Sequence, residues 1–275
     1  MILDGKKLRE ELLANYKKII EKENLKIKLA IIQVGDNEAS NIYVKNKEKY
    51  CNMVGIKTDI YKLSSDTKEE ELINLIDKLN KIKEVTGIIL QSPVPKHIDY
   101  DKCSKTILSS KDVDGFTKEN IYKLYMNEDT IMPATVKGII VLLKKYNINI
   151  DGSNVVIIGR GNIVGKPLSL ALTNENATVS LLHSHTKDIT KYTKEADIII
   201  SACGTPNIIT SDMIKDNAVV IDVGVNRING KIVGDVDFES ASKKASYITP
   251  NPGGVGPMTI AMIIDNLIEM GEVNE

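Results

Sequence analysis

No apolar run in this 275-residue chain approaches the roughly 20 residues that a membrane-spanning helix requires. The opening residues mix Asp4, Lys6, Lys7, Arg9 and Glu10 into an amphipathic pattern. They lack the apolar centre and small-residue cleavage site of a secretory signal, so the cytoplasm is the expected compartment. Charge of one sign is missing as well, with Lys and Arg totalling 36 against 37 for Asp and Glu. That balance offers no broad electrostatic footprint for nucleic acid or an anionic membrane, and leaves any anionic ligand to a local site. Cysteine is scarce: Cys51, Cys103 and Cys203 are odd in number, widely spaced and never in a Cys-x-x-Cys arrangement. A disulfide framework and structural zinc are therefore disfavoured, and no metal is expected. Internal repeats and low-complexity tracts are absent. What is present is a 42% hydrophobic content, over a length that suits one large domain or two ordinary ones.

Apolar β-branched runs alternate with helical patterns. Residues 28–34, 57–63 and 87–91 read as strands, with one helix ending near Val54 and another over 68–81 between them. Such alternation is the mark of a parallel sheet with crossover helices. After an irregular stretch at 99–133 and a helix over 136–146, a second series follows. It has strands at 154–158, 178–182, 197–201, 218–222 and 247–249, and a helix over 163–172. The expected fold is α/β with two α/β domains, the second a Rossmann-like nucleotide-binding domain. Asn229-Gly230 reads as a tight hairpin turn, and Gly256-Pro257 as the cap and first-turn proline of a final helix over about 258–270.

The strand at 154–158 runs directly into Gly159-Arg160-Gly161-Asn162-Ile163-Val164-Gly165-Lys166-Pro167. A dinucleotide pyrophosphate sits at such a junction: the backbone turns sharply and approaches the phosphates where a Cβ would obstruct, and the helix N-terminus supplies N–H donors. The spacing is one residue longer than the usual pattern, and a plain strand-to-helix turn is the competing reading. An NAD site normally places an acid about 20 residues past the first glycine. Here the region reads Leu182-His183-Ser184-His185-Thr186, with no acid. Arg160 with Ser184, and His185 beyond, can instead offer donors to a 2′-phosphate, which favours NADP. The bland alternative is a solvated arginine and two histidines that end a strand.

In the first half, Asp36 or Asn37 can cap a helix carrying Ser40, Tyr43, Lys47, Tyr50 or Cys51, and Val54 on one face. Lys47 then lies at the edge of a partly apolar environment, where an amine can serve proton transfer; the alternative is one more solvated lysine. Gln91 ends the strand at 87–91 and is followed by Ser92-Pro93-Val94-Pro95, at the strand end where ligands of open α/β sheets commonly bind. Lys111-Asp112-Val113-Asp114-Gly115 offers two carboxylates at a glycine turn, either for a ligand's donor edge or as turn chemistry alone.

Taken in order, these segments closely resemble the FolD family of bifunctional methylenetetrahydrofolate dehydrogenase/cyclohydrolases. The resemblance spans nearly the whole chain. It rests on Val34-Gly35-Asp36 with Ala39-Ser40, Tyr43 and Lys47, on Gln91 with Pro93 and Pro95, on residues 111–115 and on the loop 159–167. Ile221-Asp222-Val223-Gly224-Val225-Asn226 and Thr249-Pro250-Asn251-Pro252-Gly253-Gly254-Val255-Gly256-Pro257-Met258-Thr259 complete it, the last being highly specific. The resemblance implies that Lys47 is the catalytic lysine, that Gln91 positions and tunes it, that Tyr43 stacks on the aminobenzoyl part of the folate, and that Asp114 binds the pterin. Ser40, Pro93 and Gly253 are further expected substrate contacts. For NADP it implies Arg160 and Ser184 at the phosphate, with Gly159, Gly161, Ile163, Val164, Gly165, Thr135, Gly204 and Thr259 completing the cofactor contacts. It also implies a discontinuous folate domain, 1–133 plus 259–275, a nucleotide domain, 134–258, an active cleft between them, and a homodimer joined through the nucleotide domain.

Several positions depart from the family pattern. Ser92 stands where leucine is frequent, Gly161 where a phosphate-binding serine often follows the arginine, Val136 where Thr-Pro is common, and Asn251 where valine usually precedes Pro-Gly-Gly. The implied chemistry is hydride transfer from methylenetetrahydrofolate to NADP, followed by hydrolysis of the methenyl product. The competing readings are a dehydrogenase that has lost the hydrolytic step and a binding protein without turnover. An oxidoreductase acting on another substrate, such as shikimate, is disfavoured by Tyr43-x-x-x-Lys47 together with the proline-glycine segment.

Overall fold

The β-branched runs form strands wherever both faces can be covered. In the computed structural model, which describes residues 1–228 and 230–273, the chain divides into two compact units. The first comprises Glu10–Lys123, Asp129–Ala134 and the chain from Ile260 onward; the second comprises Met1–Arg9, Leu124–Glu128 and Thr135–Thr259.

The helix α1 (Gly5–Lys22) starts within the second unit's residues and passes to the first at Glu10, where it buries Leu13, Tyr16 and Ile20 along one stripe. Then come β1 (Lys28–Val34), α2 (Glu38–Val54), β2 (Lys57–Leu63), α3 (Glu69–Lys81) and β3 (Gly87–Gln91). The three strands form a parallel sheet in the order β2-β1-β3, so β1 is central and buried along nearly its whole length, whereas β2 alternates as an edge strand should. Leu72, Ile76 and Leu79 of α3 pack on Ala30, Ile32, Ile88 and Leu90. Two shorter helices, α4 (Tyr100–Ser104) and α5 (Lys118–Met126), occupy the stretch expected to be irregular. The five residues of α4 are too few to show a 3.6-residue period. It is specified instead by its cap, Asp99, whose carboxylate accepts from the Lys102 N–H at 3.0 Å.

The second unit opens with α6 (Ala134–Lys145), β4 (Asn154–Ile158), α7 (Gly165–Asn174) and β5 (Thr178–Leu182), and continues with the short α8 (Thr190–Thr193) and β6 (Ile198–Ser201). It ends with β7 (Val219–Asp222), the antiparallel pair β8 (Asn226–Ile228) and β9 (Lys231–Val233), α9 (Phe238–Ala241) and β10 (Tyr247–Ile248). Its parallel sheet runs β10-β7-β6-β4-β5, so the chain reverses its winding direction at β4. Val156, Ile158, Ile199 and Val220 sit in its core with Leu182, Ile209 and Ile248. Of the turn expected at Asn229-Gly230, Asn229 lies outside the described residues, as do the last two residues of the chain.

The final helix, α10 (Val255–Val273), is longer than expected and continues from the second unit into the first. Its buried Asn266 donates to the carbonyls of Val113 and Met132 at 2.9 and 3.0 Å, satisfying loop backbone that no strand partners. Gly87 is the close-approach point: a Cβ there would collide with Val113 and Leu267.

Besides one-residue shifts at 134 and 259, the units differ from the expected bounds at residues 1–9 and 124–128. Residues 1–9 belong with the second unit because Ile2 pairs with Ile248: Leu3 N–H donates to the Ile248 carbonyl and Ile248 N–H to the Met1 carbonyl, at 2.9 and 3.0 Å. Residues 124–128 join the same unit, where Asn174 donates to the Leu124 carbonyl at 2.7 Å. Among the described residues no helix is long and apolar enough to cross a membrane. Asn266→Ala is expected to leave two buried carbonyls unsatisfied and to lower stability by about 2–4 kcal/mol, read as a reduced midpoint in urea unfolding.

Candidate active site and nucleotide loop

The first-unit site is built at the carboxyl ends of β1 and β3. After Val34 the chain turns at Gly35, whose φ of 80° suits glycine, and Asn37 caps α2 by accepting from the Ser40 N–H at 3.0 Å. The cap sets the phase of the helix, so Ser40 and Lys47 face inward together with Cys51 and Val54. Lys47 is 8% exposed, and its Nζ donates to Gln91 Oε1 at 3.0 Å. The other end of that amide is also held, because Gln91 Nε2 donates to the Ser92 carbonyl at 2.7 Å. Ser40 Oγ donates to the same carbonyl at 3.2 Å. An amide has one accepting and one donating end. With its nitrogen committed to Ser92, Gln91 must present its oxygen to the lysine. Ser92 takes part through its backbone, so the residue type at this position does not alter the arrangement.

One turn before Lys47, Tyr43 is 47% exposed, a ring open to a ligand rather than packed in the core. One turn after it, Cys51 is fully buried; burial pushes its thiol up to about 12, against the opposing effect of the Lys47 charge, so it remains an unreactive thiol. Pro93 is exposed in the loop that leaves β3.

The two carboxylates after Lys111 have different tasks. Asp112 is buried and organises its own turn: Oδ1 accepts from Gly115 N–H at 3.0 Å, and Oδ2 from Thr117 N–H at 2.6 Å and Asn120 Nδ2 at 3.1 Å. Burial nonetheless holds its carboxyl above the usual range. Asp114 is half-buried and lines a small pocket with Leu90, Tyr100 and Phe116. Burial raises the Tyr100 phenol, and the Asp114 charge beside it acts in the same direction. Asp112 is thus committed to its turn, whereas Asp114, half-buried in the lining that both share, has its carboxylate beside Tyr100. Among the described residues no hydrogen bond links Asp114 to the Lys47–Gln91–Ser40 group.

In the second unit the glycine loop joins β4 to α7. Gly159 adopts φ 110°, and a Cβ there would run into the backbone of Ala202; a Cβ on Gly165 would collide with the Gly159 carbonyl. These two glycines are sterically required, whereas a Cβ on Gly161 would meet nothing within 4 Å. Arg160, Gly161 and Ile163 are exposed, Val164 is half-buried, and Gly165 opens α7. The backbone is thus shaped as a phosphate cradle, with an open edge along Arg160 and Gly161. Ser184 is exposed just beyond β5. Gly204, at φ 67°, lies in the exposed turn after β6, and Thr135 and Thr259 share a hydrogen bond at 3.0 Å. Gly253, at φ 118°, accepts the Lys6 N–H through its carbonyl at 3.0 Å.

Two buried acids, Asp222 and Asp235, hold these loops. Asp222, ending β7, accepts from Gly224 N–H at 2.9 Å, Asp235 N–H at 3.0 Å and Val236 N–H at 3.1 Å. Asp235 Oδ2 accepts from Ser201 Oγ, Cys203 N–H and Gly204 N–H at 3.0, 2.9 and 3.2 Å, and so shapes the turn that carries Gly204. Asp235 was not singled out in the sequence, because a buried acid serving distant backbone has no local spacing; its one trace is the preceding Gly234, whose Cβ would strike the Asp222 carboxylate. Asn251 donates to the Gly224 carbonyl at 2.6 Å, so the departure at that position ties two loops together.

Residues 3–114 match the model of the tetrahydrofolate dehydrogenase/cyclohydrolase catalytic domain, and residues 133–275 that of the NAD(P)-binding domain of the same family. The chain is 52% identical to the bifunctional protein FolD of Aquifex aeolicus, over 98% of this chain and 94% of that protein. The crystal structure of the bifunctional FolD methylenetetrahydrofolate dehydrogenase/cyclohydrolase from Campylobacter jejuni is 46% identical, with a TM-score of 0.97 and coverage of 100% and 99% of the two chains. The Trypanosoma brucei methylenetetrahydrofolate dehydrogenase-cyclohydrolase, complexed with NADP cofactor and inhibitor, is 32% identical, with a TM-score of 0.95 and coverage of 99% and 97%. With both halves matched and this degree of identity along its length, the chain belongs to the tetrahydrofolate dehydrogenase/cyclohydrolase family.

Proposed function

We propose that this protein oxidises 5,10-methylenetetrahydrofolate to 5,10-methenyltetrahydrofolate with reduction of NADP, and hydrolyses the methenyl product to 10-formyltetrahydrofolate. The observation that carries the reading is the buried Lys47 Nζ bonded to Gln91 Oε1 at 3.0 Å, at the carboxyl end of a parallel sheet. A lysine placed there for structure alone would be an expensive way to satisfy a glutamine; one placed for proton transfer needs just such a fixed neighbour.

Lys47, Gln91, Tyr43 and Asp114 are the groups we assign to catalysis. Tyr43 offers its exposed ring to the aminobenzoyl portion of the folate, and Asp114 accepts hydrogen bonds from the pterin's donor edge. Ser40, Pro93 and Gly253 complete the substrate contacts. The glycine loop fits a dinucleotide: Gly159 and Gly165 let the strand turn tightly into α7 where a Cβ would collide with backbone, and the edge at Gly161 stays open. NADP bound there supplies the hydride acceptor. Gly159, Arg160, Gly161, Ile163, Val164, Gly165 and Ser184 would hold its phosphates, with Thr135, Gly204 and Thr259 along the rest of the cofactor.

In the oxidative step a hydride leaves the methylene carbon as a folate nitrogen donates its lone pair, leaving a methenyl cation. The side chains that grip the pterin serve to align it. In the hydrolytic step water adds to the methenyl carbon, the C–N5 bond breaks, N5 takes up a proton and one proton is released overall. Lys47 exchanges these protons while Gln91 fixes the position of Nζ. The same reading gives the first unit the folate and the second the NADP. It makes the enzyme a cytoplasmic homodimer without nucleic-acid or membrane partners. The exposed Val225, Ile228 and Ile232 around the β8–β9 pair support self-association through the second unit.

Lys47→Met is expected to abolish the decay of methenyltetrahydrofolate while NADPH formation persists, both followed by absorbance on one preparation. Unchanged decay would remove Lys47 from the mechanism, and a wild-type protein that forms methenyltetrahydrofolate without hydrolysing it would reduce the activity to dehydrogenase alone. Asp114→Asn should raise the KM for the folate about 10- to 100-fold, the cost of one charge-assisted hydrogen bond, and leave the KM for NADP unchanged.

A further inference from the structure

The turn that carries Asp114 is anchored at every other residue from 111 to 115. Lys111 Nζ donates to the carbonyls of Leu79 and Ile82 at the end of α3, at 3.3 and 2.6 Å. Asp112 bridges to Ile88 of β3, and Val113 fills the space beside Gly87 together with Leu267 of α10. Gly115, at φ 72°, lies against the backbone of residues 131–133, where a Cβ would come within 2.6 Å of the Ile131 carbonyl oxygen. The Asp114 carboxylate takes no hydrogen bond from the described residues, so its place is set through the peptides on either side.

On the Gly115 side the anchor is local, since Asp112 accepts the Gly115 N–H. On the Val113 side it is Asn266, 153 residues further along the chain. A carboxamide nitrogen has two hydrogens to donate, and Asn266 uses both, one on the Val113 carbonyl at 2.9 Å and one on the Met132 carbonyl at 3.0 Å. One side chain therefore clamps the peptide that enters Asp114 and the segment on which Gly115 rests. Asn266 is fully buried beside Leu267, so water offers neither carbonyl a substitute donor.

We infer that Asn266 is a positioning residue for the folate, one that holds the Asp114 carboxylate in place through the Val113 and Met132 carbonyls. The inference rests on the pterin placement proposed above and extends it from the carboxylate to the helix behind it. A carboxylate that meets a planar donor edge with both oxygens tolerates little rotation of its own backbone. Loosening the Val113 carbonyl weakens the grip on the pterin in the ground state and the transition state alike, which raises KM and spares kcat.

The test follows NADPH formation by the full-length protein, with methylenetetrahydrofolate and NADP varied separately, for Asn266→Ser, Asp114→Asn and the two combined. Asn266→Ser keeps one donor at most, and is expected to raise the KM for the folate about 3- to 10-fold while kcat and the KM for NADP stay within about 2-fold of wild type. In the Asp114→Asn background the same substitution should add less than about 2-fold, because the carboxylate it positions is already lost. Leu72→Ala, a deletion in the core under α3, controls for lowered stability and should leave the folate KM unchanged. Should Asn266→Ser fail to accumulate as folded protein, the isosteric Asn266→Asp, which removes at least one of the two donors, takes its place in the same comparison. Folate and NADP KM values that rise together, a full further loss in the Asp114→Asn background, or an equal rise in Leu72→Ala overturns the inference. If Asp114→Asn raises the folate KM and the Asn266 variant does not, the pterin placement stands and only the role of Asn266 falls. If Asp114→Asn changes nothing, both fall.

Discussion

Everything in the first-unit site depends on where one amide points. A lysine amine withdrawn from water is costly unless an acceptor replaces the lost hydration, and Gln91 is that acceptor only while its nitrogen is engaged elsewhere. The Ser92 carbonyl provides the engagement and also receives Ser40 from the first turn of α2. The backbone at the end of β3 therefore fixes the glutamine, the glutamine fixes Lys47, and the helix that delivers both Ser40 and Lys47 is phased by the Asn37 cap. The chemistry asked of the lysine is local, but its position is set by β3 and α2 acting together. Asp112 takes up the hydrogen bonds of the turn that follows, which leaves Asp114 out of that network.

The second unit solves a related problem with acids in place of an amide. Loops at the carboxyl ends of its parallel strands must expose backbone to a ligand, so their N–H groups cannot be paired in strands. Asp222 and Asp235 take up several of them from beneath. Each carboxylate comes so close to the backbone that only glycine fits at positions 224 and 234. Glycine at 159 and 165 serves close packing of the same kind, against the backbone of Ala202 and of Gly159 itself.

Much of this organisation is legible in the chain. Strands buried on both faces read as continuous apolar runs, which is why β1, β3 and β4 lie where the pattern puts them; the i, i+3, i+4 spacing puts Ser40, Lys47, Cys51 and Val54 on the inward face of α2, while Tyr43, read on the same face, stands largely exposed. What periodicity misses is specified at a distance. The N-terminal residues pair with Ile248, some 240 residues away, and Asn266 serves carbonyls at 113 and 132; no window of sequence contains both partners. The helices α4 and α5 were hidden for a simpler reason, one being too short to show a period and the other carrying few buried apolar positions. That Asp112 is committed to its own turn follows from burial and hydrogen bonding, which spacing does not encode.

The positions that depart from the family pattern are unequal in consequence, and the structure explains the inequality. Ser92 contributes a carbonyl, which every residue has, so its side chain leaves the Lys47–Gln91 geometry untouched. Asn251 replaces an apolar side chain with a donor that finds the Gly224 carbonyl, converting a packing contact into a tie between loops that flank the Asp222 network. Gly161 differs in kind. It occupies an open place where a side chain would meet no obstacle, so no steric demand explains the glycine. Because β5 lies parallel beside β4, the turn that follows β5 opens at the same end of the sheet as this loop. That turn carries Ser184 and two imidazoles, one of them with its accepting nitrogen already satisfied by the His185 N–H, so the two loops together, rather than the glycine loop alone, set what polar groups this end of the sheet presents.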